Sequence, residues 1–309
     1  MTHDFNRFTR RDALSLGAGA ALAAMLPESA LAQGALLARK IPVSGEMLPS
    51  IGIGTAIIFD FENDSAKFDE RAEVLKALVA GGGKLIDTAP SYGMAEARLG
   101  ELLAATGLRD KIFLATKVRV ADRAASEAEM KASFTRLKTK SVELMQLHNV
   151  REPGQSLDLY REWKAQGLCK YIGVTSSFDR DYPAVEACVR REKPDFFQID
   201  YSIVDRNSEE RLIPAAADSG CAILTNLPFS RGRFFKAVAG KPLPDYAKEI
   251  DVTSWAQFAL KWLLGNPAIT AVIPGTDKPQ YMVDNLKAGL GRLPDAAMRK
   301  KMVETIEGL

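Results

Sequence analysis

Cysteine and histidine are scarce: the 309 residues include three cysteines and two histidines. Three cysteines cannot complete a disulfide framework, and no Cys-x-x-Cys pair occurs, so a disulfide-stapled fold is not expected. His3 lies close to the N-terminus, which leaves His148 as the one histidine of the remaining chain. A histidine-based zinc or haem site is therefore not expected, and we predict no metal site.

An excess of either charge is also missing, since 41 Lys+Arg face 39 Asp+Glu and the net charge is +2. A nucleic-acid-binding domain normally carries a clear basic excess, so no nucleic-acid partner is expected. Hydrophobic residues make up 47% and charged residues 26%, an ordinary globular balance that argues against disorder. The length suits two ordinary domains or one large barrel.

The N-terminus carries an apolar run that is short for a membrane span. The uncharged stretch Ala13–Leu26 has 14 residues, whereas a span needs about 20. It follows the pair Arg10-Arg11, and Ala30-Leu31-Ala32 supplies small residues ahead of Gln33. A polar leader, an apolar middle and an A-x-A end are the layout of a signal peptide.

The arginine pair ahead of the apolar run resembles a twin-arginine signal. We therefore predict a signal peptide over residues 1–32, export by the twin-arginine machinery and a periplasmic location for residues 33–309. A disordered or amphipathic N-terminal helix is the alternative, and an unused signal would leave the protein in the cytoplasm. No stable membrane span is expected.

From Ser50 onward, short apolar segments alternate with amphipathic ones. Eight of them have the near-continuous apolar character of strands buried on both faces. They are SIGIGTA from Ser50, KLIDTA from Lys84, IFLATKV from Ile112, VELMQLH from Val142, KYIGVTS from Lys170, DFFQIDYS from Asp195, CAILTNL from Cys221 and AITAVIPG from Ala268. Helical periods lie between them, and several end in a glycine, as helix termini often do.

This alternation predicts an α/β fold, a single (β/α)8 TIM barrel. The alternative is a doubly wound open sheet, whose nucleotide-binding version usually carries G-x-G-x-x-G after its first strand. No such motif follows the first strand here, because Gly52 and Gly54 lack the third glycine. Ahead of that strand, RKIPVSGEMLPS predicts a hairpin that turns at Ser44-Gly45 and closes the bottom of the barrel.

Polar residues end three neighbouring strands, where reactive groups of such a barrel belong. Asp87 ends the second strand, Lys117 the third and His148 the fourth, and Tyr92 follows Asp87 in the loop DTAPSYG. Each has a plainer interpretation, as a turn cap, a snorkelling cation or a structural histidine. A lysine and an aspartate at neighbouring buried strand ends are nevertheless costly unless they pair. We therefore expect all four at one pocket mouth.

The loop that carries Tyr92 resembles the aldo/keto reductase family. The family pattern D-T-A-x-x-Y-G-x-x-E-x-x-L-G runs from Asp87 to Gly100 and includes Glu96. Further matches follow in order along the chain, from about Ile41 to Leu290: G-x-G-T at Gly52, T-K at Thr116, L-H at Leu147, I-G-V-T-S-S-F around Gly173, F-Q-I-D-Y-S around Gln198, I-P-G-T near the last strand and D-N at Asp284.

The resemblance implies a catalytic tetrad of Asp87, Tyr92, Lys117 and His148. A tyrosine has a pKa of about 10, and a neighbouring ammonium favours the phenolate, so we expect Lys117 to lower the pKa of Tyr92. Asp87 would hold Lys117, and His148 would orient the carbonyl of an aldehyde or ketone. A nicotinamide cofactor would supply hydride, or accept it from the alcohol in the reverse reaction.

The resemblance also implies a set of cofactor-binding residues. These are Gly54, Thr55, Asp87, Thr175, Ser176, Gln198, Asn226, Leu227, Thr276, Lys278 and Asn285. Ser176 stands where the family usually has Asn, Asn226 where an aromatic residue stacks on the nicotinamide, and Tyr281 where Arg is common. Arg is a bidentate phosphate partner that Tyr281 does not replace. NADP is the expected cofactor, with NAD as the alternative.

The loops expected to form the substrate pocket carry aromatic and basic residues. They are Phe59, Phe61, Phe229, Phe234 and Phe235, with Arg231 and Arg233. The aromatics form either an apolar wall or ordinary packing, and the arginines either favour an anionic or sugar-like substrate or face water.

A non-enzymatic binding or regulatory subunit on the same barrel is the alternative function. The three departures from the family's cofactor positions keep this alternative open, although all four tetrad residues are present.

Overall fold

The computed structural model describes residues 34–119, 122–152 and 154–309, so the predicted signal peptide lies outside the described residues. An antiparallel hairpin precedes a parallel barrel with helices around it. The strands are β1 Ala38–Lys40, β2 Met47–Pro49, β3 Ile53–Gly54, β4 Leu85–Asp87, β5 Phe113–Val118, β6 Val142–Leu147, β7 Cys169–Thr175, β8 Phe196–Asp200, β9 Ala222–Asn226 and β10 Ile269–Val272. The helices are α1 Ser65–Ala80, α2 Ala95–Thr106, α3 Arg123–Arg136, α4 Asp158–Ala165, α5 Tyr182–Glu192, α6 Leu212–Asp218, α7 Arg233–Ala237, α8 Trp255–Leu264, α9 Pro279–Lys287 and α10 Ala296–Glu307.

Strands β3 to β10 form one eight-stranded parallel sheet in chain order. The sheet closes on itself, because Ile51 pairs with Val272 and Gly54 with Gly275 beyond the ends of the regular ladder. The Gly52 N–H donates to the Val272 carbonyl at 2.9 Å across this seam. The predicted (β/α)8 barrel is therefore confirmed, and the doubly wound alternative is wrong, since an open sheet leaves its two edge strands unpaired.

Three helices differ from the sequence expectation, and one of them, α7, was not predicted because its five residues are too few for a helical period. The segment SEERLIPAAADSG predicts a helix from Ser208, but α6 starts at Leu212. The Ser208 hydroxyl instead donates a hydrogen bond to the Asp200 carbonyl at 3.0 Å. The residues between Ser208 and α6 form turns. Helix α10 was not predicted, although Asp295 caps it by accepting from the Met298 N–H at 2.8 Å.

The inside of the barrel changes from apolar to polar along the strands. Its apolar part is one buried cluster that includes two hairpin residues: Ile41, Leu48, Leu85, Phe113, Ala115, Leu144, Tyr171, Phe196, Ala222, Leu224, Ala271 and Ile273. Side chains of a strand alternate with period two, so Asp87, Lys117 and Gln198 continue the same inward rows. The carboxyl end of the barrel is therefore its polar end.

The hairpin β1–β2 closes the opposite end, as predicted. Its turn is fixed by the Gly45 N–H, which donates to the Ile41 carbonyl at 2.8 Å. Arg39 donates to the Asn266 carbonyl at 2.8 Å, and Tyr171 donates its hydroxyl to Glu46 at 2.6 Å. These contacts anchor the hairpin to the barrel from β1 and from the turn that precedes β2.

The helices of the described residues include none long and apolar enough to span a membrane. Across the same residues, no group of three or more His, Cys, Asp or Glu side chains is arranged to hold a metal ion.

Candidate active site

A buried ion pair joins the ends of β4 and β5. Lys117 Nζ donates to Asp87 Oδ2 at 2.6 Å and to the Thr88 carbonyl at 2.9 Å, and the two charged side chains are 2% and 3% exposed. Gln146 Nε2 donates to the other oxygen, Asp87 Oδ1, at 3.1 Å. Burial alone lowers the pKa of Lys117, but attraction from Asp87 and Tyr92 outweighs it and raises that pKa. Lys117 is therefore a cation with a fixed position.

Tyr92 lies against this ion pair in the loop between β4 and α2. The Lys117 Nζ atom is 5.1 Å from the centroid of the phenol ring. The next residue, Gly93, has φ +58°, and a Cβ atom there would collide with the Asp60 carboxylate. Asp60 Oδ1 also accepts from the Met94 N–H at 2.9 Å. The loop that carries Tyr92 therefore needs glycine at position 93. Asp60, in the loop between β3 and α1, holds the Tyr92 loop in place.

The acidity expected of Tyr92 is not found. Burial is the largest influence and raises its pKa, and the Asp87 carboxylate raises it further. Lys117 and Arg231 lower the pKa, but together they do not compensate for burial. Lys117 therefore lowers the pKa of Tyr92 as expected, but burial outweighs it and the net shift is upward, because sequence shows that a cation is near but not how much water is lost. Tyr92 is a neutral phenol around pH 7 and suits the role of a proton donor.

His148 faces Tyr92 from the end of β6. The two ring centroids are 6.0 Å apart with an interplanar angle of 88°. Burial, followed by the charges of Lys117, Arg119 and Arg151, lowers the pKa of His148 to about 3. Its Nδ1 atom is buried and has no hydrogen-bond partner among the described residues. A neutral imidazole beside a neutral phenol can bind the oxygen of a carbonyl group.

The predicted nicotinamide-binding residues lie at the ends of β7, β8 and β9. Gln198 Oε1 and Asn226 Oδ1 are buried acceptors without a partner in the part of the chain that the structure describes. Asn226 Nδ2 donates to Ser177 Oγ at 3.3 Å, and Leu227 follows it with φ +50°. Two unpaired amide oxygens suit a ligand with N–H donors, so these residues fit a nicotinamide carboxamide.

Thr175 and Ser176 are tied into the barrel rim. Thr175 Oγ1 accepts from the Asn149 N–H at 2.9 Å. The Ser176 N–H donates to the Gln198 carbonyl at 3.0 Å, and its Oγ accepts from the Phe178 N–H at 3.4 Å. Both side chains are buried. Both residues therefore lie next to the Gln198 backbone.

The other predicted cofactor residues gather where the barrel closes. Asn285 Nδ2 donates to Thr276 Oγ1 at 2.9 Å, and both side chains are buried. Lys278 precedes α9, with its Nζ atom 5.9 Å from the Tyr281 ring centroid. Gly54 ends strand β3 and Thr55 follows it. The Thr55 N–H donates to the Asp87 carbonyl at 3.0 Å.

Sequence reasoning missed two residues at this end of the barrel. Gln146 holds Asp87, and Asp200 follows Gln198 on β8. Burial, followed by Asp205 and Asp179, raises the pKa of Asp200 to about 6. The period of two gives the signal that would have found them, because each is two residues from His148 or Gln198 and shares its face.

Several of the loop aromatics are packing residues. Phe59 and Phe234 are fully buried in the apolar cluster that the outer faces of the barrel strands form with the helices. Phe61 is buried with Arg98 over its ring, 5.7 Å from the centroid. Of the aromatics expected in the pocket wall, Phe229 and Phe235 remain partly exposed. The apolar wall expected from this group is therefore smaller than its five members suggest.

Glu96 of the family pattern is a structural residue. Its buried carboxylate accepts from Thr116 Oγ1 at 2.6 Å and from Arg136 Nε at 2.8 Å. It thereby joins α2 to the outer face of β5 and to α3. The pattern's Gly100 lies at the same contact, where a Cβ atom would collide with the Arg136 carbonyl.

Comparison with known proteins identifies the family. A sequence model of the aldo/keto reductase family matches residues 50–302. The chain belongs to the aldo/keto reductase family, and it is an oxidoreductase of that family.

Relatives of known sequence agree with this assignment. An aldo-keto reductase of Mycobacterium ulcerans (strain Agy99) is 30% identical over 249 residues, which cover 77% of this chain and 81% of that protein. The uncharacterized oxidoreductase YrpG of Bacillus subtilis (strain 168) is 28% identical over 257 residues, covering 67% and 78%.

Solved structures share the fold. An aldo-keto reductase from Klebsiella pneumoniae, solved in complex with NADPH, has a TM-score of 0.70 at 22% identity and covers 85% of this chain and 92% of its own. A thermostable aldo-keto reductase solved with the inhibitor epalrestat has a TM-score of 0.70 at 26% identity, covering 88% and 100%.

Proposed function

We propose that the chain is an NADP(H)-dependent carbonyl reductase in which Tyr92 gives a proton to the oxygen of an aldehyde or ketone. The observation that carries this proposal is the buried Lys117–Asp87 pair, 2.6 Å apart, beside Tyr92 and His148. The unpaired oxygens of Gln198 and Asn226 support a nicotinamide site. NADP is supported by the Klebsiella pneumoniae structures of the same fold, which were solved with NADPH and with NADP.

Each of the four site residues would have its own role in the proposed reaction. The bound dinucleotide supplies the hydride that reduces the carbonyl carbon. His148, a neutral imidazole, binds the carbonyl oxygen and orients it. Tyr92 donates its phenolic proton to that oxygen, so the phenol O–H bond breaks as the alcohol O–H bond forms. Lys117 stabilises the phenolate that remains, and Asp87 keeps Lys117 in position.

Tyr92 is in the protonation state that carbonyl reduction uses. The raised pKa of Tyr92 keeps the phenol protonated near neutral pH, which is the form that carbonyl reduction consumes. Oxidation of the alcohol would start from the phenolate, which burial disfavours.

A spectrophotometric assay tests the proposed function. The purified protein is mixed with NADPH and a panel of aldehydes and ketones, and the alcohol product is identified by mass spectrometry. We expect NADPH oxidation that depends on the carbonyl compound and is slower with NADH. Absence of both NADPH binding and alcohol formation would reject the proposal in favour of a non-enzymatic binding subunit.

We also propose that residues 1–32 direct export of the folded protein to the periplasm through the twin-arginine machinery. The support is the Arg10-Arg11 pair, the apolar run and the Ala30-Leu31-Ala32 end. Export of a folded chain allows it to carry its cofactor with it. Expression in a bacterium with this machinery should yield a periplasmic protein that starts at Gln33. An Arg10→Lys, Arg11→Lys variant should stay in the cytoplasm, and equal export of both would reject this proposal.

A further inference from the structure

Arg71 is a buried cation on helix α1, outside the set of residues predicted for catalysis or cofactor binding. Its side chain is 7% exposed, whereas Lys67 and Lys76 of the same helix are each 54% exposed. Arg71 Nη1 donates to Glu70 Oε2 at 2.7 Å, so its charge has a partner within the helix. A buried guanidinium remains costly unless its other donors are also paired. The remaining partners of Arg71 therefore indicate what the residue holds.

Those partners are backbone carbonyls of two segments that are far apart in the sequence. Arg71 Nε donates to the Ile58 carbonyl at 2.9 Å, and Nη1 also donates to the Asp277 carbonyl. Ile58 lies in the loop between β3 and α1, and Asp277 lies between β10 and α9. Strands β3 and β10 are the two that close the barrel. One side chain therefore joins the segments that leave the barrel on both sides of its seam.

Both segments belong to the predicted dinucleotide site. The loop after β3 follows Thr55 directly, and Asp277 lies between Thr276 and Lys278. Lys278 is the only cation of the predicted cofactor set. Tyr281 occupies a position where the family commonly has arginine, so Lys278 is the cation left in this set to bind a phosphate. Phosphate binding therefore depends on where residues 276–278 are held.

The loop after β3 has a backbone conformation that needs support from outside. Ile57 is β-branched and has φ +69°, which such residues rarely adopt, and its side chain is 80% exposed and so is not held by packing. Strain of this kind persists only where the surroundings fix it. The hydrogen bond from Arg71 to the next carbonyl, that of Ile58, provides such a contact. Asp60 of the same loop accepts a backbone hydrogen bond from the Tyr92 loop, so the support extends to the catalytic residues.

We infer that Arg71 is a positioning residue for the dinucleotide, because it holds residues 276–278 against the loop after β3. Its hydrogen bonds go to the protein's own carbonyls, so it acts through Lys278. It keeps Lys278 in place to bind the 2′-phosphate that distinguishes NADP from NAD. Binding by a cation that is already fixed costs less conformational freedom than binding by a mobile one. The inference deepens the proposed function and rests on it.

Isothermal titration calorimetry with NADP⁺ and NAD⁺ tests the inference on wild type and on Arg71→Met. Methionine has a similar reach but donates no hydrogen bond. We expect NADP⁺ to bind about tenfold or more weakly to the variant, as for the loss of one charged hydrogen bond. NAD⁺ lacks the 2′-phosphate, so its affinity should fall by a smaller factor. An unchanged ratio of the two affinities would overturn the inference.

Two further variants separate positioning from a general loss of stability. Arg98→Met is the matched control, because Arg98 Nε donates to the Phe61 carbonyl of the same loop at 3.0 Å and Nη1 pairs with Glu101 at 2.6 Å. It should leave the NADP⁺ to NAD⁺ affinity ratio at the wild-type value, and a fall equal to that of Arg71→Met would contradict a specific role for Arg71. Arg71→Lys keeps a cation that can reach one carbonyl. It should show a smaller preferential loss of NADP⁺, which provides the same test if Arg71→Met does not fold.

Hydrogen exchange measured without nucleotide tests the anchoring itself. The Tyr281 and Met282 N–H groups both donate to the Lys278 carbonyl at 3.1 Å, at the start of α9. A peptide covering residues 276–283 should therefore exchange faster in Arg71→Met than in wild type or Arg98→Met, and equal exchange would overturn the inference. Neither measurement needs turnover, so a wild type that reduces no carbonyl compound fails the proposed function separately.

Discussion

Lys117 and Asp87 show how single residues determine both stability and chemistry. Sequence alone places them at neighbouring strand ends, because the carboxyl ends of parallel strands converge in a barrel. The extent of burial, which sets the cost of an unpaired charge, comes only from the folded chain. The same limit explains why the net upward shift of the Tyr92 pKa was not predicted.

Removing one partner of the buried pair should destabilise the protein. We expect Lys117→Met to lower the free energy of unfolding by about 3–5 kcal/mol, since it leaves the Asp87 carboxylate buried without compensation. Adding Asp87→Asn to the same variant should recover much of this loss. Urea unfolding of wild type, the single variant and the double variant measures these losses. A single variant at least as stable as the double variant would contradict the pairing.

His148 should make the protein sensitive to acid. Its pKa is about 3 in the folded chain and about 6.5 when unfolded, so the unfolded chain binds the proton more readily. The stabilising contribution is complete above about pH 6.5 and is lost as the pH falls towards 3, by up to about 1.4 kcal/mol per unit. Asp200 has a raised pKa, so its contribution to stability changes with pH in the opposite direction. That contribution is the same in wild type and in the His148→Gln variant. Urea unfolding between pH 4 and 7 should show a shallower decline for His148→Gln, and parallel curves would contradict this account.

At the scale of elements, periodicity and apolar character predicted all eight barrel strands because each is buried on both faces. Prediction was poorest for elements that are short or set by local contacts. Helix α7 has five residues, too few for a helical period, and the start of α6 depends on the Ser208 contact with β8. The burial of Phe59 and Phe61 likewise follows from the path of a loop, which composition does not determine.

The hairpin β1–β2 should contribute to stability without contributing to catalysis. Ile41 is fully buried in the interior cluster, so Ile41→Ala should cost about 2–5 kcal/mol of unfolding free energy. Val43 in the same hairpin is 57% exposed, and Val43→Ala should change the free energy of unfolding by less than about 0.5 kcal/mol. Urea unfolding measures both, and the reductase kcat at low temperature should stay at the wild-type value. Equal effects of the two variants would contradict a closing role for Ile41.

At the scale of the whole barrel, one end contributes stability and the other end carries the candidate active site. The hairpin and the apolar interior lie at the amino ends of the strands, and the polar side chains lie at the carboxyl ends. This separation is why a barrel read from sequence already locates its candidate site.

We propose that Tyr92 donates the proton during carbonyl reduction. The most direct test is the single-turnover rate of NADPH oxidation by wild type and by Tyr92→Phe, with the same aldehyde and with NADP⁺ affinity measured in parallel. We predict a rate about 10² to 10⁴ times lower in the variant at unchanged NADP⁺ affinity, because the ring remains and the proton donor is lost. A variant that oxidises NADPH at the wild-type rate would contradict the claim.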